Sequence, residues 1–217
     1  TINMWHTVPQ AGWIQSSNPC SEYLHLQNSA CNLSSINLLK FVKPDGGFDA
    51  ELFRHVVRLM IIAQDIIVEI SGYPTPEITE NSKNYRPLGL GHCNGGALLM
   101  RAGIPYDSDE GRDRLAAITS LMAGTAYAVS AELAQQLGPF AGYAANGEAM
   151  LDVIQMHRRF ASELPGVQFG LTGQIAVEGY TAWGEALQRG KAHGYRNSQA
   201  TLLAPTGTIG IVMDCDT

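Results

Sequence analysis

The stretch "SQATLLAPTGTIG", residues 198–210, indicates the fold class of this chain. Its first part is an apolar run with the length of a buried strand, and the run ends at Pro205. Proline has no backbone donor and suits the first turn of a helix or the turn before it. The small residues after Pro205 therefore open toward a helix. A buried strand that leads into a helix is typical of α/β proteins.

Helix signals account for much of the remaining chain. Asp49 is a suitable N-cap for a helix that runs to about Ile70, and Ser108 for one that runs to about Leu137. The remaining pattern predicts helices at 95–102, 147–161 and 178–189, a mostly buried extended segment at 30–42, an ordered loop with one helical turn at 71–89, and a glycine-rich turn at 86–94. Long helices between short buried strands predict an α/β layer or barrel.

Composition excludes some classes of function. The 217 residues are 45% hydrophobic and 16% charged, so the chain can bury a substantial core. The net charge is −6 and no basic run is present, which argues against a nucleic acid held by phosphate contacts. A nucleotide needs only a few well-placed donors and stays compatible with this charge.

The cysteines and the termini suggest the setting. The chain shows no long apolar segment and no signal peptide, so we expect a cytoplasmic protein without a membrane partner. Cysteines 20, 31, 93 and 215 would then stay reduced, and their spacing gives no support for a structural zinc site. Because the chain begins at Thr1 and stops abruptly after an apolar segment, we expect it to be an internal fragment of a longer protein.

The segment "SSNPCSEY", residues 16–23, places Asn18, Cys20 and Glu22 at alternate positions. In an extended chain these side chains would share one face, about 7 Å apart. Pro19 cannot take part in normal strand pairing, so a tight loop with Cys20 at its tip fits better.

These three side chains can act on a small polar substrate. A thiol can be a nucleophile, a metal ligand or a hydrogen-atom donor, and a carboxylate can be a general base toward a hydroxyl. An amide can bond to neighbouring hydroxyls, so the set suits a diol such as a ribose. His25 is the nearest histidine in sequence, but its odd offset from Cys20 would put it on the opposite face. The alternative is a surface loop with a structural cysteine.

Two further stretches carry weaker signals. Cys31, in "ACNLSSINL", is either a small apolar residue in a buried strand or a redox thiol that lines the same pocket. Thr206, Gly207 and Thr208 begin a helix whose N–H groups could bind phosphate, although no Walker A sequence is present. His92 and Cys93 are interpreted as packing residues, and Cys215 receives no role.

Together, "NPCSE", "ACNLSSINL", "RPLGLG", "LAPTGTIG" and "MDCDT", in this order, resemble the catalytic subunit of ribonucleotide reductase. The Asn-Pro-Cys wording is similar to the class II enzymes, which depend on adenosylcobalamin. The resemblance covers essentially the whole chain. His92 and Gly96, in "GHCNGG", depart from the usual family wording.

The resemblance implies a fold and a reaction. The fold would be α/β, part of a ten-stranded α/β barrel with a central finger loop, and residues 1–217 would be a fragment of this catalytic barrel domain, incomplete at both ends. The enzyme would reduce ribonucleotides to 2′-deoxyribonucleotides for DNA synthesis by a cysteine thiyl radical. The fragment alone is expected to be inactive.

The resemblance also implies roles for single residues. Cys20, at the loop tip, would become the thiyl radical and take the 3′ hydrogen, and Glu22 would take the proton of the 3′ hydroxyl. Cys31 would be one of two thiols that reduce the substrate and form a disulfide. Contacts to the substrate would come from Ser17, Asn18 and Glu22 at the ribose, and from Pro205, Thr206, Gly207, Thr208 and Ile209 at the phosphates.

The implied partners are a ribonucleotide, a thioredoxin or glutaredoxin-type reductant that acts through cysteines outside this chain, and a second copy of the full-length protein. The implied cofactor is adenosylcobalamin.

Two alternatives to this function remain at this point. One is a class I large-subunit fragment that needs a separate radical-generating subunit, and the other is a non-catalytic nucleotide-binding fragment. The sequence does not decide between diphosphate and triphosphate substrates.

Overall fold

The computed structural model describes residues 2–164 and 170–215. Within these ranges lie seven α-helices, two strands and three short 3-10 helices. The helices are α1 (Ala50–Ile70), α2 (Pro76–Tyr85), α3 (Gly95–Arg101), α4 (Asp109–Leu137), α5 (Tyr143–Ala161), α6 (Leu171–His193) and α7 (Gly207–Met213). The strands are β1 (Asn32–Asn37) and β2 (Leu88–Cys93), and the 3-10 helices are Ile2–Trp5, Pro9–Ala11 and Leu38–Phe41. None of the described helices is long and apolar enough to cross a bilayer.

The sheet has β2 at its centre. β1 and β2 pair in parallel, from Asn32 opposite Leu88 to Asn37 opposite Cys93. The segment 199–202 runs parallel along the other edge of β2, where Leu90 forms a bridge with Thr201. We call 199–202 the third segment, because it occupies the place of a third strand. The strand predicted at 198–205 is thus reduced to a short extended pairing, and the described residues do not close a barrel.

The glycine-rich stretch before α3 is a strand, so the predicted turn at 86–94 is wrong. Gly89 and Gly91 do not have the positive φ that a turn would need. A Cβ on Gly91 would lie 2.5 Å from the carbonyl oxygen of Leu202, and one on Gly89 would lie 2.7 Å from Leu33. The glycines therefore allow close packing, of the Leu202 backbone against Gly91 and of the Leu33 side chain against Gly89.

Helices α1 and α4 begin where their capping residues predict. Asp49 Oδ1 accepts a hydrogen bond of 3.0 Å from the Leu52 N–H, and Ser108 Oγ accepts one of 3.1 Å from the Gly111 N–H. The apolar side of α1 packs against both strands and α4. Both helices are confirmed as predicted, and α3 also lies within its expected range.

The other helices differ from expectation. α2 has ten residues where one turn was expected. The sequence did not indicate this length, because α2 is polar and its buried residue is Ser82, so it lacks an apolar stripe. α5 and α6 both begin earlier than predicted. α6 crosses α4 at Gly124 and Gly179, where a Cβ would lie 2.8 Å and 3.0 Å, respectively, from backbone nitrogens of the other helix. Glycine lowers helix propensity, so the sequence pattern predicted a shorter α6. The close packing of α6 against α4, which glycine permits, stabilises the longer helix.

A buried ionic network joins α1, α4 and the two segments that lead into β2 and the third segment. Arg86 follows α2 in the left-handed conformation, and its guanidinium donates to Asp65 Oδ1 at 2.9 Å and to Glu69 at 2.7 Å. Asn197 Nδ2 donates to the same Asp65 oxygen at 2.8 Å, and Ser130 Oγ donates to Asn197 Oδ1 at 2.9 Å. Burial acts to lower the pKa of Arg86, but the two carboxylates outweigh it and hold that pKa above its usual value.

We expect Arg86→Met to lower the free energy of unfolding of this domain by about 3 kcal/mol, because it leaves a buried carboxylate with fewer donors. Denaturant unfolding of the full-length polypeptide, followed at the aromatic residues of this region, measures the change. Arg112→Met is the matched control, because Arg112 forms ion pairs with Asp107 and Asp109 that are exposed to solvent. It should change stability little. If the two substitutions lowered the free energy of unfolding equally, the buried network would not stabilise the domain more than an exposed ion pair does.

Candidate active site

Residues 17–23 form a closed loop that presents Cys20. The Asn18 N–H donates to the Tyr23 carbonyl at 3.1 Å, and the Tyr23 N–H donates to Asn18 Oδ1 at 2.9 Å. Ser21 has a φ of 68° and its N–H donates to the Asn18 carbonyl at 3.0 Å. Cys20 is exposed at the tip. The loop predicted from Pro19 is confirmed, and an extended strand with one shared face is not formed.

This geometry gives Asn18 a structural task. Its side-chain oxygen is held inside the loop, so its Nδ2 group is the part that remains to meet a ligand, since no described residue bonds to it. Ser17 Oγ donates to the Asn18 carbonyl at 2.9 Å and lies 3.4 Å from Ser21 Oγ. The two residues predicted to contact the substrate thus also fix the base of the loop.

Glu22 turns from the loop into a cleft between the helices and the third segment. The cleft is lined by His6 and Thr7 near the start of the chain, by Tyr127 of α4, and by Gln199 and Thr201 of the third segment. Within the described residues, the buried oxygen Oε2 of Glu22 has no hydrogen-bond partner. A buried carboxylate oxygen without a donor is costly, so a ligand that donates from the cleft would satisfy it.

The structure brings Cys31 close to Glu22. Cys31 is half-buried just before β1. Burial, and then the negative charge of Glu22, raise the pKa of the Cys31 thiol to about 12. The thiol therefore keeps its hydrogen at neutral pH. A thiol in this state is a poor ionic nucleophile and is suited to give a hydrogen atom.

His25 supports the loop and is not placed to serve as a base. Its Nε2 lies 2.9 Å from Ser198 Oγ, and its ring stacks on Tyr23 with centroids 5.8 Å apart. Burial, and to a smaller extent His6, lower the pKa of His25 to about 3. It stays neutral at physiological pH. Together with a hydrogen bond of 2.7 Å from Thr7 Oγ1 to the Ser198 carbonyl, this contact anchors the loop on the start of the third segment.

The candidate phosphate-binding turn follows the same segment. Thr206 is buried with a φ of 54°, and its Oγ1 donates to the Pro205 carbonyl at 2.8 Å. α7 starts at Gly207 without a side-chain cap, and Gly207 and Thr208 are exposed. The predicted helix start is confirmed. The loop and the turn are thus attached near opposite ends of the third segment.

Sequence reasoning missed several residues that position the site. Ser198 holds His25, and Ser82 Oγ on α2 accepts a hydrogen bond of 3.0 Å from the Ala30 N–H next to Cys31. Gln64 and Asn32 bond each other reciprocally, with Gln64 Nε2 donating to the Asn32 carbonyl at 2.9 Å. Gln64 could have been found from the sequence, because a polar residue that interrupts an apolar run indicates a buried polar contact. Ser82 and Ser198 carry no such signal.

Comparisons with known proteins identify the family of this chain. A model of the family "Ribonucleotide reductase, barrel domain" matches residues 1–217. The chain belongs to the ribonucleotide reductase barrel family. It is 50% identical over its whole length to the "Vitamin B12-dependent ribonucleotide reductase" of Rhodopirellula baltica and spans 21% of that relative.

Two further relatives show the range of similarity. The chain is 50% identical over its whole length to the protein of the same name from Streptomyces coelicolor, of which it spans 23%. It is 30% identical over 98% of its length to a "Vitamin B12-dependent ribonucleoside-diphosphate reductase" of Mycobacterium tuberculosis, of which it spans 25%. The chain therefore corresponds to a quarter or less of the length of these relatives.

An aromatic stack closes one side of the cleft. The ring of His157 lies 4.8 Å from that of Trp5 and 4.8 Å from that of Trp183. Burial lowers the pKa of His157 to about 4. In an unfolded chain a histidine takes up its proton near pH 6.5. Acidification from pH 6.5 toward 4 thus favours the unfolded state, and this part of the stability is present above that window.

We expect stability to fall by about 1–2 kcal/mol between pH 7 and 5 on account of His157. His157→Phe keeps a ring in the stack and should remove this part of the pH dependence. The measurement is the free energy of unfolding as a function of pH. His193→Phe, at the exposed end of α6, is the control. An unchanged slope in His157→Phe would show that His157 titrates alike in the folded and unfolded states.

Proposed function

We propose that this chain is the catalytic barrel segment of an adenosylcobalamin-dependent ribonucleotide reductase, in which a thiyl radical on Cys20 starts the reduction of a ribonucleotide to a 2′-deoxyribonucleotide. One observation carries the proposal. The unpartnered Glu22 oxygen and the protonated thiol of Cys31 lie together behind a loop that exposes Cys20. A general base, a hydrogen donor and an accessible radical site are three of the groups that this reaction needs.

Each group has one task. The Cys20 sulfur, once it has lost its hydrogen atom, takes the hydrogen from C3′ of the ribose. Glu22 Oε2 accepts the proton of the 3′ hydroxyl, which helps the 2′ hydroxyl leave as water. Cys31 and a second thiol outside this chain then supply two reducing equivalents and become a disulfide. Cys20 finally returns its hydrogen to C3′.

Binding of the substrate is shared between the loop and the turn. Ser17 and the Nδ2 group of Asn18 would hold the ribose hydroxyls. The phosphates would rest on the turn at 205–209, where the first N–H groups of α7 have no side-chain cap. Support comes from the exposure of Gly207 and Thr208 and from the family to which the chain belongs.

The exposure of Cys20 is compatible with an adenosylcobalamin cofactor. A thiol that must lose a hydrogen atom to a separate group has to be accessible, and Cys20 is exposed with no described hydrogen bond to its sulfur. When bound, adenosylcobalamin supplies the homolytic chemistry that removes this hydrogen. Cys20 is the residue of this chain that would meet it. The B12-dependent names of the relatives favour this source of the radical over a class I subunit.

The remaining parts of the proposal concern the whole protein. The parallel arrangement of β1, β2 and the third segment supports membership in a ten-stranded barrel with residues 17–23 as its finger loop. A cytoplasmic location, a thioredoxin or glutaredoxin-type reductant and a homodimer complete the proposal. A non-catalytic fragment is disfavoured, because Cys20, Glu22 and Cys31 are all present.

An assay of the full-length polypeptide tests the function directly. Nucleoside diphosphates and triphosphates are each offered with a dithiol reductant, with and without adenosylcobalamin. Deoxyribonucleotide formation that requires the cofactor supports the proposal. Turnover without cobalamin, on addition of a separate radical-generating subunit, would establish the class I alternative. Absence of turnover under both conditions would favour a non-catalytic role.

We expect Cys20→Ser in the full-length polypeptide to lower reduction by at least about 10³-fold, because a hydroxyl does not replace a thiol as radical carrier. Nucleotide affinity, measured by calorimetry, should stay close to wild type. Cys215→Ala is the control, because it removes a thiol outside the loop and should retain turnover. Substantial turnover in Cys20→Ser would overturn the assignment of the radical site.

We expect Cys31→Ser to permit a single abortive event without sustained turnover, because the radical can form while one reducing hydrogen is missing. A rapid-quench experiment with limiting enzyme measures substrate consumed per active site. Consumption should stop near one equivalent, whereas wild type continues. Steady multiple turnover in this variant would contradict the reducing role of Cys31.

A further inference from the structure

The chain contains a second pair of thiols that the proposed reaction does not use. Cys93 is the last residue of β2 and Cys215 follows α7. Their sulfur atoms lie 3.4 Å apart although 122 positions separate them in sequence. Both are free cysteines. Two sulfurs at this distance are in van der Waals contact.

Both cysteines are held in place by backbone contacts. Cys93 is 1% exposed and pairs with Asn37 across the sheet. The Cys215 N–H donates to the Gly210 carbonyl at 3.0 Å, which fixes Cys215 to the last turn of α7. A disulfide needs sulfur atoms about 2 Å apart. The two sulfurs would therefore have to approach by roughly 1.4 Å to form the bond.

We propose that Cys93 and Cys215 are a redox modification site, which a peroxide oxidises to a reversible disulfide between the end of β2 and the end of α7. Cys215, the more exposed of the two, attacks hydrogen peroxide, becomes a sulfenic acid and releases one water. The Cys93 thiol then condenses with this sulfenic acid: the sulfur–sulfur bond forms, the sulfur–oxygen bond breaks, and the hydroxyl leaves with the thiol proton as a second water. In total, two thiols and one peroxide give one disulfide and two waters.

The surroundings of the two sulfurs decide the order of events. Burial, and then the contact with Cys215, raise the pKa of Cys93 to about 12, so Cys93 stays a thiol until its partner is oxidised. A buried thiol next to a half-exposed one is the arrangement of a resolving cysteine beside an oxidised one. Neither Cys20 nor Cys31 takes part.

The disulfide would restrain α7. This helix has seven residues, and two of its apolar side chains, Ile211 and Val212, are 82% and 81% exposed. Oxidation would tie it covalently to the central strand. Because α7 begins at the turn assigned above to the substrate phosphates, an effect on phosphate binding rests on the proposed function. The formation of the disulfide does not.

Peptide mapping of the full-length polypeptide tests the bond itself. The reduced protein is treated with hydrogen peroxide, blocked with N-ethylmaleimide and digested with trypsin. Lys83, Arg101 and Arg196 set the cleavage points, so Cys93 and Cys215 fall in separate peptides, and both differ from the peptide that ends at Lys40 and carries Cys20 and Cys31. We expect a linked Cys93–Cys215 peptide that dithiothreitol reverses. Recovery of both peptides in blocked form after peroxide would overturn the proposal.

Two variants and a second measurement complete the test. Cys93→Ala and Cys215→Ala should each abolish the link, and Cys31→Ser should leave it intact. In the oxidised wild type, hydrogen exchange of the α7 amides should slow at least about tenfold, with no such change in Cys215→Ala. Equal exchange in oxidised and reduced wild type would refute the restraint on α7. The peptide link is read without turnover, so its failure is distinguishable from failure of the proposed reductase activity.

Discussion

The carboxylate of Asp65 is the point on which this architecture depends. It is buried and accepts hydrogen bonds from Arg86 and Asn197, which come from two distant parts of the chain. A desolvated charge is tolerated only with such partners, so the segments that carry them cannot move independently. Since β2 starts two residues after Arg86 and the third segment starts just after Asn197, this single site sets where both strands begin.

The candidate active site is held by residues next to this ionic network. Ser198, next to Asn197, receives His25 and Thr7, and Ser82 on α2 holds the backbone just before Cys31. The ionic network therefore fixes the position of the loop that exposes Cys20, through short polar contacts. A flexible loop alone would not hold the Cys20 sulfur and the Glu22 carboxylate at a defined separation, and the proposed reaction depends on such positioning.

The sequence predicted those parts of the fold that depend on local signals. Capping by Asp49 and Ser108 determined where α1 and α4 begin, and Pro19 determined the loop. Features that depend on tertiary contact were missed or misread. α2 buries little apolar surface, and the glycines of β2 look like a turn until Leu202 is placed beside them. The candidate chemical residues Cys20, Glu22 and Cys31 were proposed from their types and order, whereas the serines that position them carry no sequence pattern.

The two candidate redox thiols of the chain are separated by their electrostatic surroundings. Cys31 lies beside the negative charge of Glu22, which opposes formation of a second negative charge on its sulfur. Together with burial, this keeps the Cys31 thiol protonated. Cys93 has the sulfur of Cys215 as its neighbour. In the proposed reaction the first environment would preserve a hydrogen for transfer to a radical, and the second would favour a bond between sulfurs once one of them is oxidised.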